Sequence, residues 1–188
     1  MTPQEYTLTC QLVSGSPNWR HYAKTLLANP QIVNISSFAS ILSTTTQPSG
    51  GTTTANQVQL DTIDTIQGVS LVNNAVVVAN SGQYLVNWLG QFKFTGGGSG
   101  GNITTWYSVN GVPSANSGYT FYLPTSNNYQ TLTNVEDINS FNAGDQITFW
   151  WWSDISPATN VSLTYTAAGT NPTRPASPSA KISISQLN

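Results

Sequence analysis

Few side chains in this 188-residue sequence have the chemistry of a nucleophile or a general base. It contains one cysteine, Cys10, and one histidine, His21, eleven residues apart. A nucleophile–histidine pair also needs a group that orients the base, and the sequence contains neither a G-x-S-x-G motif nor further residues of a catalytic signature. We interpret His21 as a surface or packing residue and Cys10 as a small buried one. The sequence therefore predicts no catalytic residue and no enzyme activity.

The acidic side chains are the other candidates for chemistry. Asp61 and Asp64 lie three residues apart in a repeated D-T-I sequence, a pairing that would suit a cation. Calcium takes about six to eight oxygen ligands, so two carboxylates fit a turn or a strand edge better. Glu136 and Asp137 are interpreted as a solvated pair, and Asp145 as a turn residue that caps backbone donors. We predict no metal and no other cofactor.

The composition indicates a large uncharged surface. Charged residues make up 6% of the chain, against about 25% in an average soluble protein. Ser, Thr, Asn, Gln and Gly take their place, which suits β-structure, extracellular proteins and subunits of large assemblies. The net charge is −2 and the five cations are scattered, so the clustered basic patch of a nucleic-acid-binding protein is absent.

No segment of the sequence has the features of a membrane span or a secretion signal. No apolar run approaches the roughly 20 residues that a membrane span needs, and the N-terminus lacks the cationic and apolar regions of a signal peptide. A single cysteine rules out an intrachain disulfide. We therefore expect no membrane partner, and we expect the protein to leave a cell inside an assembled particle or by lysis.

The strongest secondary-structure signal is the alternation of residues in Gly82–Phe94. One row is apolar enough for a core, and the other mixes leucines with amides and a lysine. The first row is Tyr84, Val86, Trp88, Gly90, Phe92 and Phe94, and the second is Leu85, Asn87, Leu89, Gln91 and Lys93. From residue 58 onward, similar short runs recur between turn signals such as Asn73–Asn74 and Asn110–Gly111. This pattern predicts an all-β sandwich or barrel of roughly eight to ten strands.

Residues 1–56 differ from the rest of the chain. They end in a Ser/Thr/Gly-rich tract, residues 43–54, which predicts a linker, and residues 19–27 fit a short helix. The apolar arm before the linker either packs on its own domain or anchors the protein to a partner surface. The candidate anchoring residues are Ile32, Val33, Ile35, Phe38, Ile41 and Leu42. The predicted division is an arm and linker at 1–56 and a β domain at 57–188.

Residues 149–152 read Phe-Trp-Trp-Trp. In a strand, Phe149 and Trp151 share one face while Trp150 and Trp152 share the other. One pair can fill the core, and the other pair needs a cover because large apolar patches are rare on soluble proteins. A trimer interface, an overhanging loop and a glycan stacked on the rings are the three covers we consider. We predict a trimer interface formed by Trp150, Trp152, Leu85 and Leu89.

Several motifs occur in an order that resembles one protein superfamily. They are G-Q-Y-L-V-N-W at 82–88, V-N-G at 109–111, T-L-T-N-V at 131–135, F-N-A-G-D-Q-I-T-F at 141–149 and S-P-S-A-K-I-S-I-S-Q-L at 177–187. Their order and spacing resemble the tumour necrosis factor/complement C1q-like superfamily over roughly residues 57–188. The resemblance implies a ten-stranded jelly-roll β-sandwich that assembles as a homotrimer. It implies no ligand, because one fold serves many functions.

The low charge and the missing secretion signal resemble the bacteriophage, large-virus and spore-surface members of that superfamily. We therefore predict a non-enzymatic structural protein of a virus or phage particle: a capsid decoration protein, a minor capsid protein or a spike or fibre component. Its N-terminal arm would contact capsid or other particle proteins, which places it at the virion surface. The alternative is a lectin-like or receptor-binding head of a tail fibre or spore-surface protein, with a glycan or host receptor as its partner.

Overall fold

The structure, a computed structural model, describes residues 37–97, 99–124 and 130–187, all of which belong to one compact unit. These ranges contain sixteen strands and a single turn of 3-10 helix at Ala158–Asn160. The strands are β1 (Phe38–Ser43), β2 (Gln47–Pro48), β3 (Asn56–Gln57), β4 (Thr62–Gln67), β5 (Val69–Val72), β6 (Ala75–Val78), β7 (Gly82–Phe94), β8 (Gly101–Val109), β9 (Val112–Pro113), β10 (Tyr119–Leu123), β11 (Gln130–Phe141), β12 (Gln146–Ser153), β13 (Val161–Leu163), β14 (Gly169–Thr170), β15 (Thr173–Arg174) and β16 (Ala180–Leu187). The predicted all-β class is confirmed.

Two antiparallel sheets contain all the long strands. The first sheet has the order β11-β7-β16-β1-β4, and β13 and β2 extend it beside the C-terminal end of β7. The second sheet has the order β10-β8-β12-β6-β5, with β3 beside β12 and β9 beside β8. Strands β14 and β15 form a separate small hairpin.

The core lies between the two sheets. It is built from the inward rows of β7, β8 and β12, and the predicted apolar row of β7 is buried throughout. Aromatic rings meet across the gap: Trp88 packs edge-on against Phe149 with ring centroids 5.9 Å apart, and Phe92 packs against Trp151 at 5.3 Å. Such tilted ring pairs add stability beyond the burial of their area.

The two predicted turn dipeptides are confirmed. Asn73 and Asn74 both have positive φ, 48° and 63°, and join β5 to β6. Asn110 and Gly111, with φ of 51° and 81°, join β8 to β9. Two consecutive left-handed residues match the right-handed twist of the flanking strands, and Asn and Gly adopt that conformation at little steric cost.

The described part of the predicted arm differs from the expectation. Residues 38–43 form β1, which lies between β16 and β4 in the first sheet. Ile41 is fully buried there, so it fills this domain's own core and is not free to anchor a partner. The predicted linker also contributes β2 to the first sheet. The sandwich therefore begins before residue 57, and the remaining arm residues, with the predicted helix at 19–27, lie outside the described ranges.

Candidate functional surfaces

The outer surface of the first sheet carries a set of apolar side chains that we call the aliphatic face. Register places Phe38, Ser185, Leu85 and Ile138 in one row across four strands, and Leu42, Lys181, Leu89 and Asn134 in a second row. Leu132 and Leu187 lie on the same surface beyond these rows. The members of the aliphatic face are Phe38, Leu42, Leu85, Leu89, Leu132, Ile138 and Leu187.

Strand β11, at one edge of this sheet, has apolar side chains that are exposed to solvent. Leu132 is 58% exposed and Ile138 is 59% exposed, whereas Leu85 and Leu89 on the neighbouring strand are partly buried. Serine, asparagine and glutamate separate the two apolar rows at Ser183, Asn87 and Glu136. Exposed apolar side chains grouped on one surface in this way are typical of a contact with another molecule.

The outer surface of the second sheet carries an aromatic set that we call the aromatic face. Trp106 and Trp150 are direct cross-strand partners, and Trp152 lies opposite Thr104. Tyr122, 62% exposed, extends the surface onto β10 beside Asn102. The members of the aromatic face are Trp106, Trp150, Trp152, Tyr122, Thr104, Thr120 and Thr148.

The same chain partly covers the indoles of the aromatic face. The Trp152 Nε1–H donates a hydrogen bond to the carbonyl of Thr52 at 2.7 Å, and the Trp150 Nε1–H donates to Thr148 Oγ1 at 2.9 Å. Gln57 of β3 lies opposite Trp150 on its other side. The segment at Thr52 therefore contacts Trp152, while Trp150 is bonded within its own strand and flanked by β3.

The four predicted interface residues do not form one patch. Leu85 and Leu89 belong to the aliphatic face, and Trp150 and Trp152 belong to the aromatic face on the other sheet. Among the predicted anchoring residues, Phe38 and Leu42 lie on the aliphatic face. Ile41 is buried in the core, and Ile32, Val33 and Ile35 lie outside the described residues.

A cleft of about 380 Å³ opens beside the aromatic face, between β2 of the first sheet and β3 of the second. Its lining is polar, uncharged and rich in side-chain amides. The lining residues are Thr46, Gln47, Pro48, Asn56, Gln57, Gln59 and Asn74. Gln57 connects the cleft to the aromatic face, because it lines the cleft and is the cross-strand partner of Trp150.

Three of the predicted acidic residues take the structural roles expected of turns and edges. The Asp61 carboxylate accepts hydrogen bonds from the Thr44 backbone N–H and hydroxyl at 3.0 Å. Asp64 is exposed on β4. Asp145 accepts from the Asn142 backbone N–H at 2.8 Å, as predicted for a turn cap.

Asp137 is not the solvated residue that the sequence predicted. Its Oδ2 accepts a hydrogen bond of 2.5 Å from the hydroxyl of Tyr107, which is 1% exposed. Asn139 Nδ2 donates to the same hydroxyl at 3.0 Å and to Ser114 Oγ at 3.1 Å. Burial, and then the bond to Asp137, raises the pKa of Tyr107 above its usual 10.0. This network joins β8 of the second sheet to β11 of the first.

Among the described residues, no group of three or more His, Cys, Asp or Glu side chains is placed to hold a metal ion. His21 and Cys10 lie outside these ranges. No helix in the described part of the chain is long and apolar enough to cross a membrane. Comparison with protein-family models finds no match, and neither does comparison with curated proteins.

Proposed function

We propose that this protein is a non-enzymatic structural component of a virus or phage particle, and that it forms homotrimers through its aliphatic face. The observation that carries the proposal is the aliphatic face itself. Only 6% of the residues are charged. The large apolar side chains with the highest exposed fraction in the first sheet are Leu132 and Ile138 on β11, and they lie beside the half-buried leucines of β7. Burial of this surface against a second copy would remove it from water.

The strand order supports a jelly roll of the tumour necrosis factor/complement C1q type. The first and last long strands, β1 and β16, lie side by side, and β7 follows β16. Among the longer strands, the chain changes sheet between β4 and β5, between β6 and β7, between β7 and β8, between β10 and β11 and between β11 and β12, and it returns to the first sheet at β13. Two interleaved four-stranded Greek keys give this path. Homotrimers are the assembly that the resemblance implies for such a domain.

A role in a particle rests on composition and on the segment that precedes the sandwich. A charge-poor, hydroxyl- and amide-rich surface suits a subunit that is packed among others. The apolar residues Ile32, Val33 and Ile35 precede β1 in the sequence, and we propose them as the attachment segment. The partners would be capsid or other particle proteins.

Absolute mass by light scattering, at low and high salt, tests the trimer. We expect three chains of 20.1 kDa, about 60 kDa, at both salt concentrations, because an apolar contact is not screened by ions. A monomer near 20 kDa would overturn the trimer.

Mass spectrometry of particles purified on a density gradient tests the location: peptides of this chain in the particle fraction support the proposal, and their presence only in soluble fractions contradicts it.

A further inference from the structure

We infer that the aromatic face and the adjoining amide-lined cleft together bind a neutral glycan. This inference does not depend on the trimer or on a particle, because none of its residues belongs to the aliphatic face. The site consists of a stacking surface, Trp106 and Trp150, and of a polar cleft that begins at Gln57. These two parts supply the two kinds of contact that a sugar ring makes.

The stacking surface is suited to the apolar face of a sugar ring. Trp106 and Trp150 are adjacent on neighbouring strands and only partly buried, so part of each ring surface faces solvent. An indole offers a broad apolar plane together with one polar N–H. The Trp150 N–H is held by Thr148, which fixes the ring and lowers the entropy lost when a ligand binds.

The cleft supplies hydrogen-bonding groups for hydroxyls. Within the described ranges, the side-chain amides of Gln57 and Gln59 form no hydrogen bond to protein. Asn74 uses its Oδ1 to accept from the Leu60 backbone N–H at 2.9 Å, which leaves its Nδ2 as a donor. Each amide can donate and accept at once, and a sugar hydroxyl does the same.

The cleft walls are held in place by hydrogen bonds of Gln47 and Asn56. Gln47 is 7% exposed, and its Nε2 donates to Ser43 Oγ at 2.7 Å and to the Gln59 carbonyl at 3.0 Å. Asn56 accepts from the Gly50 backbone N–H at 2.7 Å. The volume of about 380 Å³ lies within the usual range of small-ligand sites, about 300–1,000 Å³. The cleft therefore has walls fixed by the chain's own hydrogen bonds and a volume that a small ligand could occupy.

Charge selects a neutral ligand over an anionic one. None of the seven lining residues is charged, so the cleft offers no partner for a phosphate, sulfate or sialic acid carboxylate. Asp154, which accepts hydrogen bonds from Asn102 at one end of the aromatic face, adds a negative charge there. An anionic glycan would be repelled by this charge, whereas the affinity for a neutral glycan would not be reduced by it.

A glycan array that carries neutral, sialylated and sulfated glycans tests the site with the full-length protein. We expect binding to neutral glycans, and we then titrate the strongest one by tryptophan fluorescence. Trp150→Ala should weaken binding about tenfold or more, since a stacked ring is lost, and Trp150→Phe should retain most of it. Gln57→Ala should weaken binding about threefold to tenfold. Gln83→Ala, an exposed amide on β7 in the first sheet, is the matched control and should bind like the parent protein.

Four results would overturn the inference: no neutral glycan bound, only anionic glycans bound, unchanged affinity in both Trp150→Ala and Gln57→Ala, or a fall in molecular mass caused by Trp150→Ala. The last result would make the aromatic face a contact between copies. Because Gln57→Ala removes only a solvent-accessible amide, it keeps the test decisive if Trp150→Ala fails to fold. Loss of glycan binding with an unchanged mass separates this site from the proposed trimer.

Discussion

The aliphatic face and the aromatic face are the outer surfaces of the same sandwich, yet their large side chains are in different environments. On the aliphatic face, Leu132 and Ile138 are 58% and 59% exposed. On the aromatic face, Trp150 and Trp152 are partly buried by their own chain, and each indole N–H has a partner. The most exposed apolar side chains of the first surface therefore face solvent, whereas the tryptophans of the second are partly buried.

This difference shows that the most aromatic segment of the sequence is not the most exposed apolar surface of the fold. Residues 150–152 are three consecutive tryptophans. Trp152 nevertheless donates a hydrogen bond to Thr52, which is 100 residues away in the chain. Leu132 and Ile138 on the other sheet remain more than half exposed. The exposed set, and not the most aromatic set, is the better candidate for contact between copies.

The largest expected effect comes from a charge placed on the aliphatic face. Leu85→Asp puts a carboxylate into the row that contains Phe38 and Ile138, where a trimer contact would bury it. The cation within the two rows of this face, Lys181, lies in the other row, opposite Leu89. Burial of an unpaired charge costs several kcal/mol, and the threefold contact would contain three such charges. We expect the mass measured by light scattering to fall from about 60 to about 20 kDa, three chains to one.

Val77→Asp is the matched control, because Val77 is a partly buried aliphatic residue on the outer surface of the second sheet. It should remain a trimer. If Val77→Asp dissociates the protein and Leu85→Asp does not, the assignment of the two faces is reversed. Circular dichroism confirms that both variants keep their strands.

The second expected effect is a difference in the free energy of unfolding lost when a side chain is removed from each face. Trp152→Ala removes a partly buried ring and its hydrogen bond to Thr52, and we expect it to lower the free energy of unfolding by about 2–3 kcal/mol. Leu132→Ala removes a side chain that is 58% exposed and should cost at most about 0.5 kcal/mol. Urea unfolding of both variants in the monomeric Leu85→Asp background measures the difference free of any contribution from assembly. Equal costs would mean that the Thr52 segment does not cover the aromatic face in solution.

The sequence predicted the strands whose inward rows are large and apolar. Alternation placed β7 at its observed bounds, and Asn and Gly dipeptides located two turns, because these signals are local. The strand β1 was missed for the opposite reason. Its buried row is Ala39, Ile41 and Ser43, while the larger Phe38 and Leu42 lie outside, so its pattern is too weak to distinguish a strand from an arm.

The surfaces could be predicted only in part. The outward leucines of β7 followed from its alternation, but their apolar neighbours on β11 depend on strand register, which no local pattern reveals. The cleft combines residues from β2, β3 and the turn before β6. Asp137 looked solvated because its partner Tyr107 is 30 residues away on the other sheet. Each of these features depends on tertiary contacts between distant parts of the chain.

The smallest expected effect concerns the hydrogen bond that joins the sheets behind these two faces. Tyr107→Phe removes the hydroxyl that donates to Asp137 and accepts from Asn139, and we expect a loss of about 1.5 kcal/mol at pH 7. Tyr122→Phe, which alters an exposed hydroxyl on the aromatic face, should change stability little. Guanidinium unfolding at pH 7 measures both variants.

The pH dependence identifies the buried hydroxyl as the source of this loss. The pKa of Tyr107 is raised from 10.0 in the folded protein, so the folded state holds its proton more tightly than the unfolded state. Its contribution to stability is fully present below pH 10 and is lost as the pH rises from 10 through the raised pKa. The parent protein should therefore lose stability over this window, and Tyr107→Phe should lose less, so the gap between them narrows above pH 10. A gap that stays constant from pH 7 to pH 11 would show that the hydroxyl contributes through packing alone and that its proton is not held by Asp137.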